Sequence, residues 1–283
     1  MLKQRVITAL LLLAVLLPAL FYPAPEAFMA VVLLLVAAAG WEWGRLLGWG
    51  HAQACGVALC CTLLCIGAWW LGLPYRPLPL VWLVYGSAWI LMGVWLLHRG
   101  VPGWGRINRS LRLFVGMLVL LMAWIAIAQA RSQGVNFLLS IMLLVWVADI
   151  AAYFAGRKFG LQWVRVRLAP SISPGKTWEG VAGAVAGVML LASLWVYADA
   201  AFNASDLSLY SRLATSSWPL MLIATVFLAA ASVMGDLIES LIKRSSGVKD
   251  SSNLLPGHGG VLDRVDALLP TLPMAMMLVT WLR

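Results

Sequence analysis

Apolar runs of 18 or more residues recur along the whole chain, and nothing else in it constrains the fold as much. A hydrocarbon core about 30 Å thick is crossed by roughly 20 apolar residues in a helix. Spans are expected at about 6–22, 27–47, 52–73, 78–97, 112–130, 135–156, 179–198, 217–237 and 261–282. The expected fold class is therefore all-α, a polytopic integral membrane protein with about nine transmembrane helices. The composition agrees: 63% of residues are hydrophobic and mean hydropathy is +0.91, whereas soluble domains are nearer half apolar. Counting soluble domains from the length of 283 residues does not apply here. The tryptophans suit interfacial belts, with several inside the bundle. The first run follows Lys3 and Arg5 and precedes PAPEA, as in a signal peptide. Its apolar core is long for a cleaved signal, and an uncleaved first helix is expected.

Basic residues set the orientation. A cytoplasmic N-terminus places Lys3, Arg5, Arg45 and the cations of 99–112, 157–176 and 243–264 inside. It leaves only Arg76, Arg131, Arg212 and Arg283 outside, as the positive-inside rule requires. The net charge of +9 also suits anionic headgroups or phosphates at that face. Cys55, Cys60, Cys61 and Cys65 share the third span, lack zinc-type spacing, and read as small buried hydrophobes.

The acids divide the chain. Residues 1–135 hold only Glu26 and Glu42, and all the others lie in 136–283. A transmembrane region over 1–135 and a catalytic region over 136–283 are expected. In the second half Asp199 and Asp206 are external, and the remaining acids gather at the cytoplasmic ends of the last helices.

Asp149 lies near the inner end of the sixth span, with Tyr153 and Gly156 on the same helix face. An intramembrane carboxylate faces a polar cavity or a partner. A functional role and a structural pair with Arg157 both fit. SISPGKTWEG follows, from Ser171 to Gly180. Its GKT is similar to the end of a P-loop, but the required upstream glycine is missing: position 170 is proline and 171 is serine. Ser173, Thr177 and Glu179 still precede an apolar helix whose free N–H groups favour anions, and Lys176 adds charge. An ordinary N-cap beside a positive-inside lysine fits this segment equally well.

The densest polar stretch runs from Ser240 to Asp266, with Asp236 and Glu239 just upstream. Asp236, Ser240 and Lys243 share one helix face, and Asp263 and Asp266 share another. Carboxylates brought together repel unless a cation lies between them. Hard oxygen ligands beside phosphate suit Mg²⁺. Interfacial salt bridges with Lys243, Arg244 and Arg264 account for any one acid but poorly for the whole set. Pro256–Gly260 gives a tight turn that admits close backbone approach. Its His258 fits a phosphate donor, a metal ligand or a loop staple.

The run Ser240-x-Ile242-Lys243-Arg244, Lys249-Asp250-x-Ser252 and Leu255-Pro256-x-His258-Gly259-Gly260-Val261-x-Asp263-Arg264-Val265-Asp266 resembles the complete signature of the phosphatidate cytidylyltransferase (CDP-diacylglycerol synthase) family. The Asp149 and SPGKTWEG segments resemble it too, so the likeness covers about 140–283. The resemblance implies Mg-dependent transfer of a cytidylyl group from CTP to phosphatidate, giving CDP-diacylglycerol and pyrophosphate. It implies Asp236 and Asp263 as metal ligands, with a monovalent cation such as K⁺ nearby. It also implies a cytoplasm-facing site in a bacterial inner membrane. On that footing Asp236, Asp263, Asp266, Lys243 and Arg244 are the catalytic set. Ser173, Lys176, Thr177, Glu179, Ser240, Lys249, Asp250, His258, Arg264 and Asp149 are expected to bind substrate or order the loop around it. Partners are CTP, phosphatidate and membrane lipids, with no nucleic acid and with a homodimer as one option. A secondary transporter fits intramembrane acids, but the charges crowd one end and no matching half exists. The DG-x-x-AR pattern of CDP-alcohol phosphotransferases is absent.

Overall fold

Each apolar run is helical because a helix satisfies its own N–H and C=O groups where no water can. The computed structural model describes residues 2–281. Leu282 and Arg283, the end of the ninth expected span and one expected external cation, lie outside them. In chain order the helices are α1 (Leu2–Phe21), α2 (Pro25–Leu46), α3 (His51–Trp70), α4 (Pro79–Arg106), α5 (Arg109–Ser132), α6 (Val135–Phe159), α7 (Trp178–Ala201), α8 (Leu209–Ser216), α9 (Trp218–Ser245), α10 (Leu262–Val265) and α11 (Leu268–Thr280). No extended strand occurs among the described residues. The protein is an all-α integral membrane protein.

Eight helices, α1 to α7 and α9, are long and apolar enough to cross a bilayer. The ninth expected span differs. It is divided into α10 and α11, and the 13 residues of α11 rise only about 20 Å at 1.5 Å each. The Asp266 carboxylate accepts the Ala267 N–H at 2.8 Å at the break. Leu268, Leu272, Met274, Ala275 and Met276 are buried, and α11 packs against α4, α5, α6 and α9. Its hydrophobicity therefore serves the bundle interior. The short α8 was not foreseen, because its eight residues carry no span-length apolar run.

Helix ends follow local chemistry. Asn108 accepts the Ser110 N–H at 2.8 Å to start α5, and Thr177 accepts the Gly180 N–H at 3.1 Å to start α7. Pro25 and Pro79 open α2 and α4, where a missing N–H costs nothing. Near its end α4 turns sharply at Gly100, whose φ of 65° favours glycine.

Helices α6 and α7 approach closely through small residues. A Cβ on Gly187 would meet Ala151 Cβ at 2.7 Å, and one on Gly183 would meet the Ala151 oxygen at 3.0 Å. This contact brings the Asp149 helix against the helix that Lys176 precedes. At the other end of these helices Asp199 accepts from Asn136 at 2.8 Å, Ser211 at 2.6 Å and the Ser208 N–H at 3.0 Å. This network anchors α8 and is structural. Cys61 and Cys65, four residues apart, are buried as expected, whereas Cys55 and Cys60 lie on the exposed face of α3.

Candidate active site

Lys176 stands just before α7 and Asp236 lies two turns from the end of α9. Their side chains form an ion pair across 60 residues. Two turns further along α9, the Lys243 ammonium lies 2.5 Å from Glu239 and 2.6 Å from Asp263. These three are the ion pairs among the described residues. The expected acid–hydroxyl–cation face of α9 is present, with the Ser240 hydroxyl 3.4 Å from Asp236.

The signature loop wraps this helix end. Asp263 accepts the Ser251 N–H at 2.9 Å, the Ser251 hydroxyl at 3.1 Å and the Gly260 N–H at 2.7 Å. Burial opposes its charge. The Lys243 ammonium and the Gly260 N–H outweigh that burial and hold the carboxyl well below its usual range, at about 2. Asp266 is the opposite case. Burial first, and then the nearby charges of Asp236 and Asp149, push its carboxyl up. Asp149, Asp236 and Asp266 therefore share one electrostatic environment. Asp149 is exposed and makes no hydrogen bond or ion pair with any described residue. The pairing with Arg157 does not form; Arg157 donates to the Tyr153 hydroxyl at 2.7 Å.

Several expected substrate contacts have internal partners. Glu179 is buried and accepts the Trp163 and Val164 N–H groups, both at 2.9 Å, so it staples the basic loop before Lys176. Thr177 is an N-cap, and the Ser173 backbone forms a tight turn with Ala169. Arg244 donates to the Ile172 oxygen at 3.4 Å, joining the end of α9 to the Lys176 segment. Arg264 donates to the His258 oxygen at 2.9 Å. The His258 Nδ1 is buried without a described partner. Lys249 and Asp250 are exposed on the loop.

The site also draws on the first half of the chain, so a boundary at 135 does not enclose it. Glu42, near the end of α2, is fully buried. It accepts the Ser252 hydroxyl at 2.6 Å, the Ser251 hydroxyl at 3.2 Å and the Val261 and Leu262 N–H groups at 2.8 and 2.7 Å. In α1, Arg5 donates to the Gly257 oxygen at 2.9 Å and Thr8 to the Pro256 oxygen at 3.0 Å. The sequence held one signal for Glu42, as the sole acid between residues 27 and 135. It held none for Thr8.

The sequence matches known proteins over nearly its full length. The cytidylyltransferase family matches residues 3–282. A phosphatidate cytidylyltransferase of Pseudomonas aeruginosa is 37% identical over 282 residues, covering 96% of this chain and 95% of that one. The chain belongs to the cytidylyltransferase family. A Haemophilus influenzae protein of the same name is 35% identical over 96% of both chains. One from Brucella suis is 36% identical over 80% of this chain and 70% of its own. The match reaches through the N-terminal half, where the signature resemblance did not extend and from which Glu42, Arg5 and Thr8 bond to the loop.

The carboxylates suit a hard divalent cation. Asp149 and Asp236 crowd Asp266 with like charge, and a cation between them relieves that repulsion. No group of three or more His, Cys, Asp or Glu side chains forms a ready-made metal cage among the described residues. Mg²⁺ usually takes one or two carboxylates and completes its shell with water and substrate phosphate. The donor set fits that habit.

Proposed function

We propose that this enzyme transfers the cytidylyl group of CTP to phosphatidate, forming CDP-diacylglycerol and pyrophosphate with Mg²⁺. The observation that carries this is the pair of lysine–aspartate contacts, Lys176 on Asp236 and Lys243 on Asp263, at one end of a lipid-embedded bundle. Each lysine neutralises a carboxylate until a polyphosphate arrives. The lysines then turn to phosphate oxygens, and the freed carboxylates would be available to a divalent cation. The relatives' name supplies the substrates.

The nucleophile is the phosphate monoester of phosphatidate. Its second pKa is near 6, so it is largely dianionic at neutral pH and no strong general base is required. Its oxygen attacks the α-phosphorus of CTP, the bond to the bridging oxygen breaks, and pyrophosphate leaves. The obstacle is repulsion between two polyanions, so positioning and charge neutralisation dominate. Lys176, Lys243 and Arg244 hold phosphate oxygens. Lys249 and Arg264 receive phosphatidate or the departing pyrophosphate. Asp236 and Asp263 would hold the metal, with Asp266 as third ligand or support. Bound there, Mg²⁺ supplies charge neutralisation on the triphosphate. Asp250 and the His258 turn order the loop, and a monovalent cation such as K⁺ fits the surplus of acids. The excess of basic residues at this end supports a cytoplasm-facing site, and the bacterial relatives are consistent with an inner membrane.

The test is purified protein with phosphatidate, Mg²⁺ and each labelled nucleoside triphosphate in turn. A labelled liponucleotide should form from CTP with one pyrophosphate per turnover. Absence of lipid-bound label, or equal labelling from ATP, overturns the reading.

A further inference from the structure

A cavity of about 320 Å³ opens among α2, α4, α5 and α9, with Trp43, Tyr85, Trp89, Leu120 and Ile238 in its walls. Glu239 and Asp266 also line it, so it backs directly onto the candidate active site. A second cleft of about 550 Å³ lies where α4 bends, and His98, Arg99 and Arg106 line it. Trp95 and Ile107 belong to both, so cleft and cavity adjoin. The bend at Gly100 gathers the cations of the cleft. Neither Arg99 nor Arg106 forms an ion pair with a described residue. Both side chains are exposed, and Arg99 lies over the Trp95 ring at 5.9 Å.

We infer that cleft and cavity together receive a phosphatidate molecule from the bilayer before it reacts. The inference rests on the phosphatidate reading above. Arg99 and Arg106 take the phosphate and the cavity takes an acyl chain. Two guanidinium forks match a phosphomonoester dianion in both charge and geometry. No acid lines the cleft to meet the ammonium of a zwitterionic headgroup. Away from Arg112, Glu239 and Asp266 the walls are apolar and suit a hydrocarbon chain. Because the cavity ends at Asp266 and Glu239, the lipid held there is the one the enzyme consumes. The active-site cations Lys176, Lys243 and Arg244 stay with the nucleotide, so two polyanions are gathered by separate sets of charges.

The experiment measures CTP incorporation by the full chain in mixed micelles, with dioleoyl or dihexanoyl phosphatidate. R99A/R106A should raise KM for dioleoyl phosphatidate by about tenfold, the scale of one lost charge-assisted contact, without moving KM for CTP. R99K/R106K should recover part of that loss. Val119→Trp, which fills the cavity from α5, should raise KM for the dioleoyl lipid and spare the dihexanoyl one. R76A, at the opposite end of the bundle, is the control and should change neither KM. A dioleoyl KM within about twofold of wild type in R99A/R106A overturns the inference. So does a Val119→Trp variant with no dependence on chain length. If wild-type protein consumes no phosphatidate at all, the proposed function itself has failed.

Discussion

The Glu42 carboxylate on α2 accepts the Leu262 N–H at 2.7 Å, across 220 residues of chain. With the Val261 N–H and two serine hydroxyls it closes the signature loop onto the second helix. Loop and scaffold are thereby one unit, and the position of Asp263 depends on a residue far outside the charged segment.

Glu42→Ala should lower both stability and turnover. Each buried N–H left without a partner costs roughly 1–3 kcal/mol. Thermal unfolding in detergent should shift down, and CTP incorporation should fall by about tenfold or more on that scale. Glu42→Gln keeps an acceptor oxygen and should retain more of both. Equal loss in the two variants would count against hydrogen bonding as the role.

Lys176→Ala removes the cation that meets Asp236. KM for CTP should rise by about tenfold or more, as for loss of one charge-assisted phosphate contact. Folding should survive, since the pair is partly open, with side chains 25% and 28% exposed. An unchanged CTP dependence removes the phosphate-binding role.

Asp236→Asn should raise the Mg²⁺ concentration that half-saturates turnover, while Ser240→Ala should scarcely alter it. A chelator should stop turnover of the wild type and added Mg²⁺ should restore it. An identical Mg²⁺ titration in Asp236→Asn and wild type would exclude Asp236 as a ligand.

Asp263→Asn should reduce turnover by about a hundredfold or more, because the Lys243 pair and the charge on the loop donors go together. Circular dichroism should still show a helical protein. Retained turnover at saturating Mg²⁺ contradicts the assignment.

Gly260→Ala should abolish activity through geometry alone. A Cβ there would fall inside the Ser251 hydroxyl and the Glu42 carboxylate. The loop must shift, and Asp263 loses the Gly260 N–H. Limited proteolysis should cut the loop faster in this variant, and a wild-type digestion rate would argue otherwise.

Much of this was legible from residue types. The spans for α1 to α7 and α9 follow from apolar length, because a bilayer imposes one dimension on every helix. Lys176, Asp236, Lys243 and Asp263 were visible as charges where charge is costly. The last expected span forms as α10 and α11, and its burial against other helices was not legible, because hydropathy is the same whether a residue faces lipid or other helices. Glu179 and Thr177 looked like substrate contacts because a carboxylate or hydroxyl before a helix serves an anion site and a cap alike. Only the position of the Trp163 and Val164 N–H groups decides between them.

By itself the chain determined that it is a helical membrane protein with a dense charged segment near its C-terminus. Local composition suffices for that, since insertion and charge placement are decided segment by segment. Tertiary structure alone decided which charges meet. Lys176 belongs to Asp236, Lys243 to Asp263, and Glu42 to the loop, because the packing of α6 and α9 on α7 and the return of the loop onto α2 set distances that no sequence spacing encodes.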